Sequence, residues 1–99
     1  MSMAFVQVIE FNTADIDSVR QVDEEWRRAT EGKRTARREI LARDRNNPGR
    51  YLAIVFFDSA ESAAQNSNLP ETQAAAEKYM ALSDGPPAFS DLDVLEDRA

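Results

Sequence analysis

Apolar positions recur at strand-like spacing in four runs of this chain and at helical spacing in the stretches between them. Ala4–Phe11 is β-rich and apolar at nearly every position, interrupted by Gln7 and Glu10, which predicts a central strand. Ile16, Val19, Val22, Trp26 and Ala29 then repeat every three or four residues, giving one apolar stripe of a helix. Asn12 and Thr13 are its candidate caps, Asp15 and Asp17 suit its first turn, Arg27 and Arg28 its last, and Gly32 ends it. Arg34–Arg45 predicts a more polar strand, with Ala36, Arg38, Ile40 and Ala42 on one side and Thr35, Arg37, Glu39, Leu41 and Arg43 on the other. That mixture suits a sheet edge, and Asn46-Asn47-Pro48-Gly49 turns it into a hairpin with Arg50–Phe57. Asp58 or Ser59 caps a short helix through Ala60, Ala63 and Ala64, which Asn66-Ser67-Asn68 interrupts. Pro70 opens a second helical piece that runs to about Ser83 and stops at Asp84-Gly85-Pro86-Pro87. Ala88–Glu96 closes the chain as a strand carrying Phe89, Leu92, Val94 and Leu95.

The order strand-helix-strand-strand-helix-strand predicts an α+β, ferredoxin-like βαββαβ domain spanning residues 1–99. Its four-stranded antiparallel sheet takes the order 4-1-3-2, with helices on one face. Arg50–Phe57 adds a further demand. Leu52, Ile54 and Phe56 point to one face, Tyr51, Ala53, Val55 and Phe57 to the other, and both sets are apolar. The helices cover one set; a second copy of the chain is the expected cover for the other, making a homodimer.

Composition narrows the chemistry. At 42% hydrophobic and 30% charged residues the chain reads as globular, with no run approaching a membrane span and no secretory-type start, so a cytoplasmic protein is expected. It has no histidine and no cysteine. That excludes imidazole bases, thiolate nucleophiles, ordinary zinc sites and proximal haem ligands, and leaves carboxylates, Tyr, Lys, Arg and amides to do any chemistry. No cofactor and no metal site is expected. The net charge of −6 opposes nucleic acid and anionic membranes as partners. The charge is uneven: residues 27–50 carry nine basic and three acidic side chains, which suits a charged edge strand or, more sharply, an anion site.

Several segments together resemble the dimeric α+β barrel superfamily, close to its antibiotic-biosynthesis-monooxygenase group. They are Val55-Phe56-Phe57-Asp58-Ser59-Ala60-Glu61-Ser62-Ala63, the break and Pro-led helix Asn66-Ser67-Asn68-Leu69-Pro70-Glu71-Thr72, and Gly85-Pro86-Pro87-Ala88-Phe89. The resemblance runs from Phe5 to Leu95 and implies two sheets packed face to face, with small, often aromatic ligands held between sheet and helices. Members include cofactor-free oxygenases of polycyclic phenols, haem-degrading enzymes, isomerases and proteins without known activity, so fold does not settle reaction. Haem degradation does not carry over. Gln7 is the nearest match to the family's first-strand amide, but Asn66 stands roughly where its Trp would be and Thr72–Ala76 offers no His. A faint likeness of residues 49–57 to an RNA-recognition motif also fails, because Leu52 and Ile54 occupy the positions that need stacking rings.

The candidate ligand-cavity residues are Gln7, Arg38, Tyr51, Asn66 and Tyr79. Gln7 interrupts a strand face that otherwise carries Phe5, Ile9 and Phe11, so it needs either a hydrogen bond across the sheet or a ligand. Arg38 could hold an anionic group, or snorkel from an apolar face. Tyr51 and Tyr79 are the only phenols, each a packing residue or an acid–base group. Asn66 and Asn68 suit a helix break, and Trp26 a core or interface anchor. The expected function is binding or transformation of a small hydrophobic or aromatic metabolite, as in a cofactor-independent monooxygenase or an isomerase-like enzyme. The alternative is a non-catalytic dimeric ligand-binding or protein-interaction module.

Overall fold

The computed structural model describes residues 4–99. Strand β1 (Phe5–Asn12) leads to helix α1 (Ile16–Ala29), the hairpin β2 (Arg38–Arg43) and β3 (Arg50–Phe57), helices α2 (Ala60–Ser67) and α3 (Pro70–Leu82), and β4 (Ala88–Asp93). The strands form one antiparallel sheet in the order β2-β3-β1-β4, the ferredoxin-like arrangement expected from the element order. Among the described residues no helix is long and apolar enough to cross a membrane.

Local chemistry sets the ends of the elements. Asp15 caps α1: one carboxylate oxygen accepts from the Ser18 backbone N–H (3.1 Å) and the other from the Ser18 hydroxyl (2.6 Å). Thr13 is not the cap because its hydroxyl is otherwise engaged. It accepts from the Asp15 N–H and donates to the Leu82 carbonyl at 2.7 Å, tying the end of β1 to the end of α3. Ser59 and Ser62 form a reciprocal capping box at α2, and Pro70 opens α3 where its missing N–H costs nothing.

β2 begins four residues later than the sequence suggests. Residues just before it are spent on α2: the Thr35 N–H donates to Asn66 Oδ1 (3.3 Å) and the Thr35 hydroxyl to the Ser62 carbonyl (2.6 Å). β4 likewise ends at Asp93, beyond which the Val94 N–H donates to the Ala4 carbonyl just before β1.

The helices cover the face that carries Phe5, Gln7, Ile9 and Phe11 of β1 and Tyr51, Ala53, Val55 and Phe57 of β3. Two apolar clusters form there. Phe5, Phe57 and Ala63 make one, joined by Ala36 and Val55. Phe11, Val19 and Tyr51 make the other, joined by Ile9, Ile16, Ala53, Tyr79 and Leu82. Trp26 is buried between helices, its indole N–H donating to the Thr72 hydroxyl at 2.9 Å while the Arg34 guanidinium lies over its ring. It is an anchor, as its place on the α1 stripe suggests.

Among the described residues nothing covers the opposite face. Val6, Val8, Ile40, Leu52, Ile54 and Phe56 are half-buried there, and Leu92 is exposed. Arg38 lies over the Phe56 ring at one end, and Arg50 pairs with Glu10 and Asp44 at the other.

Candidate functional site

Strand pairing explains where polar groups gather under the helices. Glu39 pairs with Val55, Val55 with Gln7, and Gln7 with Asp91, so one row across the helix-covered face reads Glu39-Val55-Gln7-Asp91. Residues directly opposite in a ladder point to the same side. The next row, Leu41-Ala53-Ile9-Phe89, is apolar. The polar row lies between the Phe5–Phe57 cluster and the Phe11–Tyr51 cluster, a position where packing alone would favour aliphatic side chains.

At the β2 end of this row a groove of about 670 Å³ opens between α1 and β2. It is lined by Asp17, Arg20, Gln21, Asp23, Glu24 and Arg27 of α1 and by Glu39 and Leu41 of β2, so Leu41 is its one apolar side chain. α3 contributes Tyr79, whose hydroxyl donates to Asp23 Oδ1 at 3.3 Å. Partial burial, followed by the adjacent Asp23 carboxylate, pushes the Glu39 carboxyl up to about 7, while Arg27 and Arg34 pull in the other direction. The Tyr79 phenol is also pushed up, first by burial and then by Asp23 and Glu39, so it stays protonated near neutrality. Two carboxyls, a neutral phenol and nearby guanidiniums can bind a proton, release it, and offset the charge of an anion. Among the described residues, no three potential ligands converge as a metal site would require.

The residues singled out from the sequence are dispersed. Gln7 faces the helices, and its Nε2 donates to Asp91 Oδ1 at 3.2 Å, the hydrogen bond across the sheet that was one of its two expected roles. Tyr79 reaches the Asp23–Glu39 pair. Tyr51 is a core residue stacked on Phe11, with ring centroids 5.7 Å apart. Asn66 is buried in α2 and accepts from the Thr35 N–H. Arg38 is on the uncovered face, over Phe56.

Glu39 and Asp23 were not singled out, though both left a signal. Asp23 lies four residues after Val19 and three before Trp26, on the buried stripe of α1 rather than merely in an acidic N-terminal half. Glu39 shares a strand side with Leu41, and only the register against Val55 shows that this side faces the helices.

A second cleft, of about 370 Å³, lies by Phe5, Phe57 and Val94 at the far end of the sheet. The charged groups of its rim include Arg37 and Asp58, which neutralise each other in an ion pair of 2.6 Å.

The sequence matches no family model, and it matches no curated protein. The fold has clear counterparts. A candidate antibiotic biosynthesis monooxygenase from Caulobacter crescentus CB15 superposes with a TM-score of 0.82 at 15% identity, over 96% of this chain and 92% of that one. SnoaB, a cofactor-independent oxygenase from Streptomyces nogalater, gives 0.81 at 14% identity, over 97% of both chains. Rv0793 from Mycobacterium tuberculosis gives 0.79 at 13%, over 97% of this chain and 99% of that one. At such identities the likeness speaks for fold. This chain has the ferredoxin-like α+β fold shared by structures of the antibiotic-biosynthesis-monooxygenase type, as its motifs imply.

Proposed function

We propose that this protein binds a small hydrophobic or aromatic metabolite between its sheet and helices and transforms it by cofactor-independent, oxygenase-type chemistry. The observation that carries this reading is the groove between α1 and β2, where the charged and polar side chains of Asp17, Arg20, Gln21, Asp23, Glu24, Arg27 and Glu39 stand around Leu41 at the edge of the sheet whose helix-covered face holds the apolar clusters. The shared fold with SnoaB, a cofactor-independent oxygenase, over nearly the full length of both chains supports that type of chemistry. The residues suit such a reaction. A ring system that loses a proton becomes electron-rich enough to react with dioxygen itself, so the protein need only orient it, exclude water and accept the proton.

The working form in this reading is a cytoplasmic homodimer of one-domain subunits. Its support is the uncovered sheet face, with an apolar centre of Val8, Ile40, Leu52 and Ile54 and charged ends at Arg38 and Arg50. An apolar core with a polar rim is the anatomy of a stable interface, and left bare it is an aggregation hazard. Gln7 is the proposed polar contact at the inner end of the ligand site and Tyr79 the one at its mouth.

The test is protein-dependent oxygen consumption with a panel of polycyclic phenols, with chelator present throughout. Uptake of dioxygen with at least one member, unaffected by chelator, is the expected result. Binding without oxygen uptake across the panel would favour a ligand-binding module instead.

A further inference from the structure

We propose that the cleft at the far end of the sheet is a second ligand site, which takes a small primary amine with an apolar body, such as an arylalkylammonium ion. It goes beyond the reading of the α1–β2 groove and shares no lining residue with it.

The cleft is built by the ends of the two central strands and by the segments that flank them. Phe5 and Val6 open β1, and each stands opposite its partner at the end of β3, Phe57 and Phe56 respectively. Two backbone hydrogen bonds draw the neighbouring segments alongside. The Arg37 N–H, just before β2, donates to the Phe56 carbonyl at 2.7 Å, and the Val94 N–H, just after β4, donates to the Ala4 carbonyl at 2.9 Å. The first places Arg37 beside Asp58, and the second brings Val94, Glu96 and Asp97 to the start of β1.

The lining divides into a floor and a rim. The floor is apolar, made by Phe5, Val6, Phe56, Phe57 and Val94. Phe5 and Phe57 pack against each other with ring centroids 6.3 Å apart and belong to the core, so this surface is formed before any ligand arrives. A volume of about 370 Å³ is near the lower limit of small-molecule pockets and suits one ring or a chain of similar bulk.

The rim is charged, and its sign selects the ligand. It carries one cation, Arg37, against three carboxylates, Asp58, Glu96 and Asp97. Arg37 donates to Asp58 Oδ2 from both Nε (2.9 Å) and Nη2 (2.6 Å), so the one guanidinium already has its anion. Glu96 accepts from Arg98 at 3.1 Å, but both side chains are largely in water, where such a pair is weak and an incoming ammonium competes with it. Among the described residues Asp97 has no ion pair. An anion therefore meets net repulsion, and a neutral apolar molecule leaves the rim unused. An ammonium on a short apolar stem satisfies both parts. The α1–β2 groove offers carboxylates as well, but Leu41 is its one apolar side chain, so it lacks the floor.

The experiment titrates the full chain with three molecules of nearly the same shape: 2-phenylethylamine, protonated at neutral pH, 2-phenylethanol and 3-phenylpropionate. Binding is read from backbone-amide NMR shifts. The amine should give saturable shifts at Phe5, Val6, Phe57 and Val94 with a Kd of about 1 mM, as its size allows. The alcohol should bind about fivefold more weakly, and the carboxylate should not saturate. Raising salt from about 50 to about 500 mM should weaken the amine and leave the alcohol unchanged. Glu96→Gln combined with Asp97→Asn, both exposed substitutions, should bring the amine down to the alcohol's affinity. Arg37→Gln, which removes the rim's cation, should tighten it. Equal affinities for amine and alcohol in the wild type, or an unchanged amine affinity in the double variant, overturn the proposal. So does the absence of saturable shifts with the amine. Amine shifts gathered at Asp23, Glu39 and Leu41 would place the ammonium in the α1–β2 groove, overturning the second site while leaving the reading of that groove standing.

Discussion

The two faces of the sheet are built from the same strands with similar residues, yet they are closed very differently. Phe56 and Phe57 are neighbours in β3. Phe57 is 5% exposed beneath the helices, packed with Phe5 and Ala63, whereas Phe56 is only half-buried under the guanidinium of Arg38. The helix-covered face is closed by its own chain over β1 and β3, while its β4 edge, with Phe89, stays exposed. The other face is apolar through its middle and is completed by nothing among the described residues. The proposed ligand site uses the face where the chain supplies both sides of a cavity, and the proposed assembly the face where it supplies one.

Truncating the two phenylalanines sets the faces against each other, and the expected effects are the largest. Phe57→Ala should cost about 3–5 kcal/mol, the usual loss for a buried aromatic, measured by denaturant unfolding. Phe56→Ala should approach that value only if a second subunit covers it, and the loss should then depend on protein concentration. A loss below about 1 kcal/mol at every concentration would show that the open face stays open. Ile54→Lys sharpens the same point by placing a charge at the centre of that face. Light scattering should report twice the chain mass for the wild type and one chain mass, or aggregates, for the variant. A soluble wild-type monomer at micromolar concentration would break the comparison.

Much of this architecture could be read from residue patterns. Near-continuous apolar runs rich in β-branched and aromatic residues located β1 and β3, the turn Asn46-Asn47-Pro48-Gly49 located the hairpin, and Pro70 marked the start of α3. These signals are local, so they survive without knowledge of tertiary structure. The limits of β2 and the cap of α1 were less legible because they depend on contacts distant in sequence. Thr35 is held by Asn66 and Ser62, and Thr13 is drawn to Leu82. The site was the least legible. Asp23, Glu39 and Tyr79 come from three elements, and their meeting follows from helix rotation and strand register, neither of which a single segment encodes.

The next effect in size concerns pH. Glu39 has an ordinary value of 4.5 and is raised to about 7 in the folded chain. Between those values the unfolded chain has released its proton while the folded chain still holds it, so stability must fall as pH rises through that window. It is full below about 4.5 and flat again above about 7. After a discount for partial solvation the loss should be about 1–2 kcal/mol. Glu39→Leu, measured by thermal unfolding from pH 4 to pH 8, should flatten this component and be more stable than wild type at the alkaline end. A wild-type curve that rises through the window, or an unchanged slope in Glu39→Leu, would contradict the burial of a carboxyl on this face.

Gln7 gives the smallest expected change in stability, and it tests whether the polar row is one functional unit or two. Its amide donates to Asp91 at 3.2 Å, but Asp91 is exposed on the edge strand β4. Removing the donor therefore leaves a carboxylate that water can solvate, not an orphan in the core, and the penalty for a buried unsatisfied group does not apply. Leucine at position 7 would gain apolar contact between Val55 and the two clusters, offsetting the lost hydrogen bond. Gln7→Leu should then shift stability by no more than about 0.5 kcal/mol in either direction, within the range of surface substitutions. Affinity for an aromatic ligand is the sharper readout. If the ligand extends from Glu39 along the row towards β1, Gln7→Leu should weaken binding while leaving unfolding nearly unchanged. Unchanged affinity accompanied by a loss above about 1 kcal/mol would assign Gln7 to the sheet alone and confine the ligand to the α1–β2 groove.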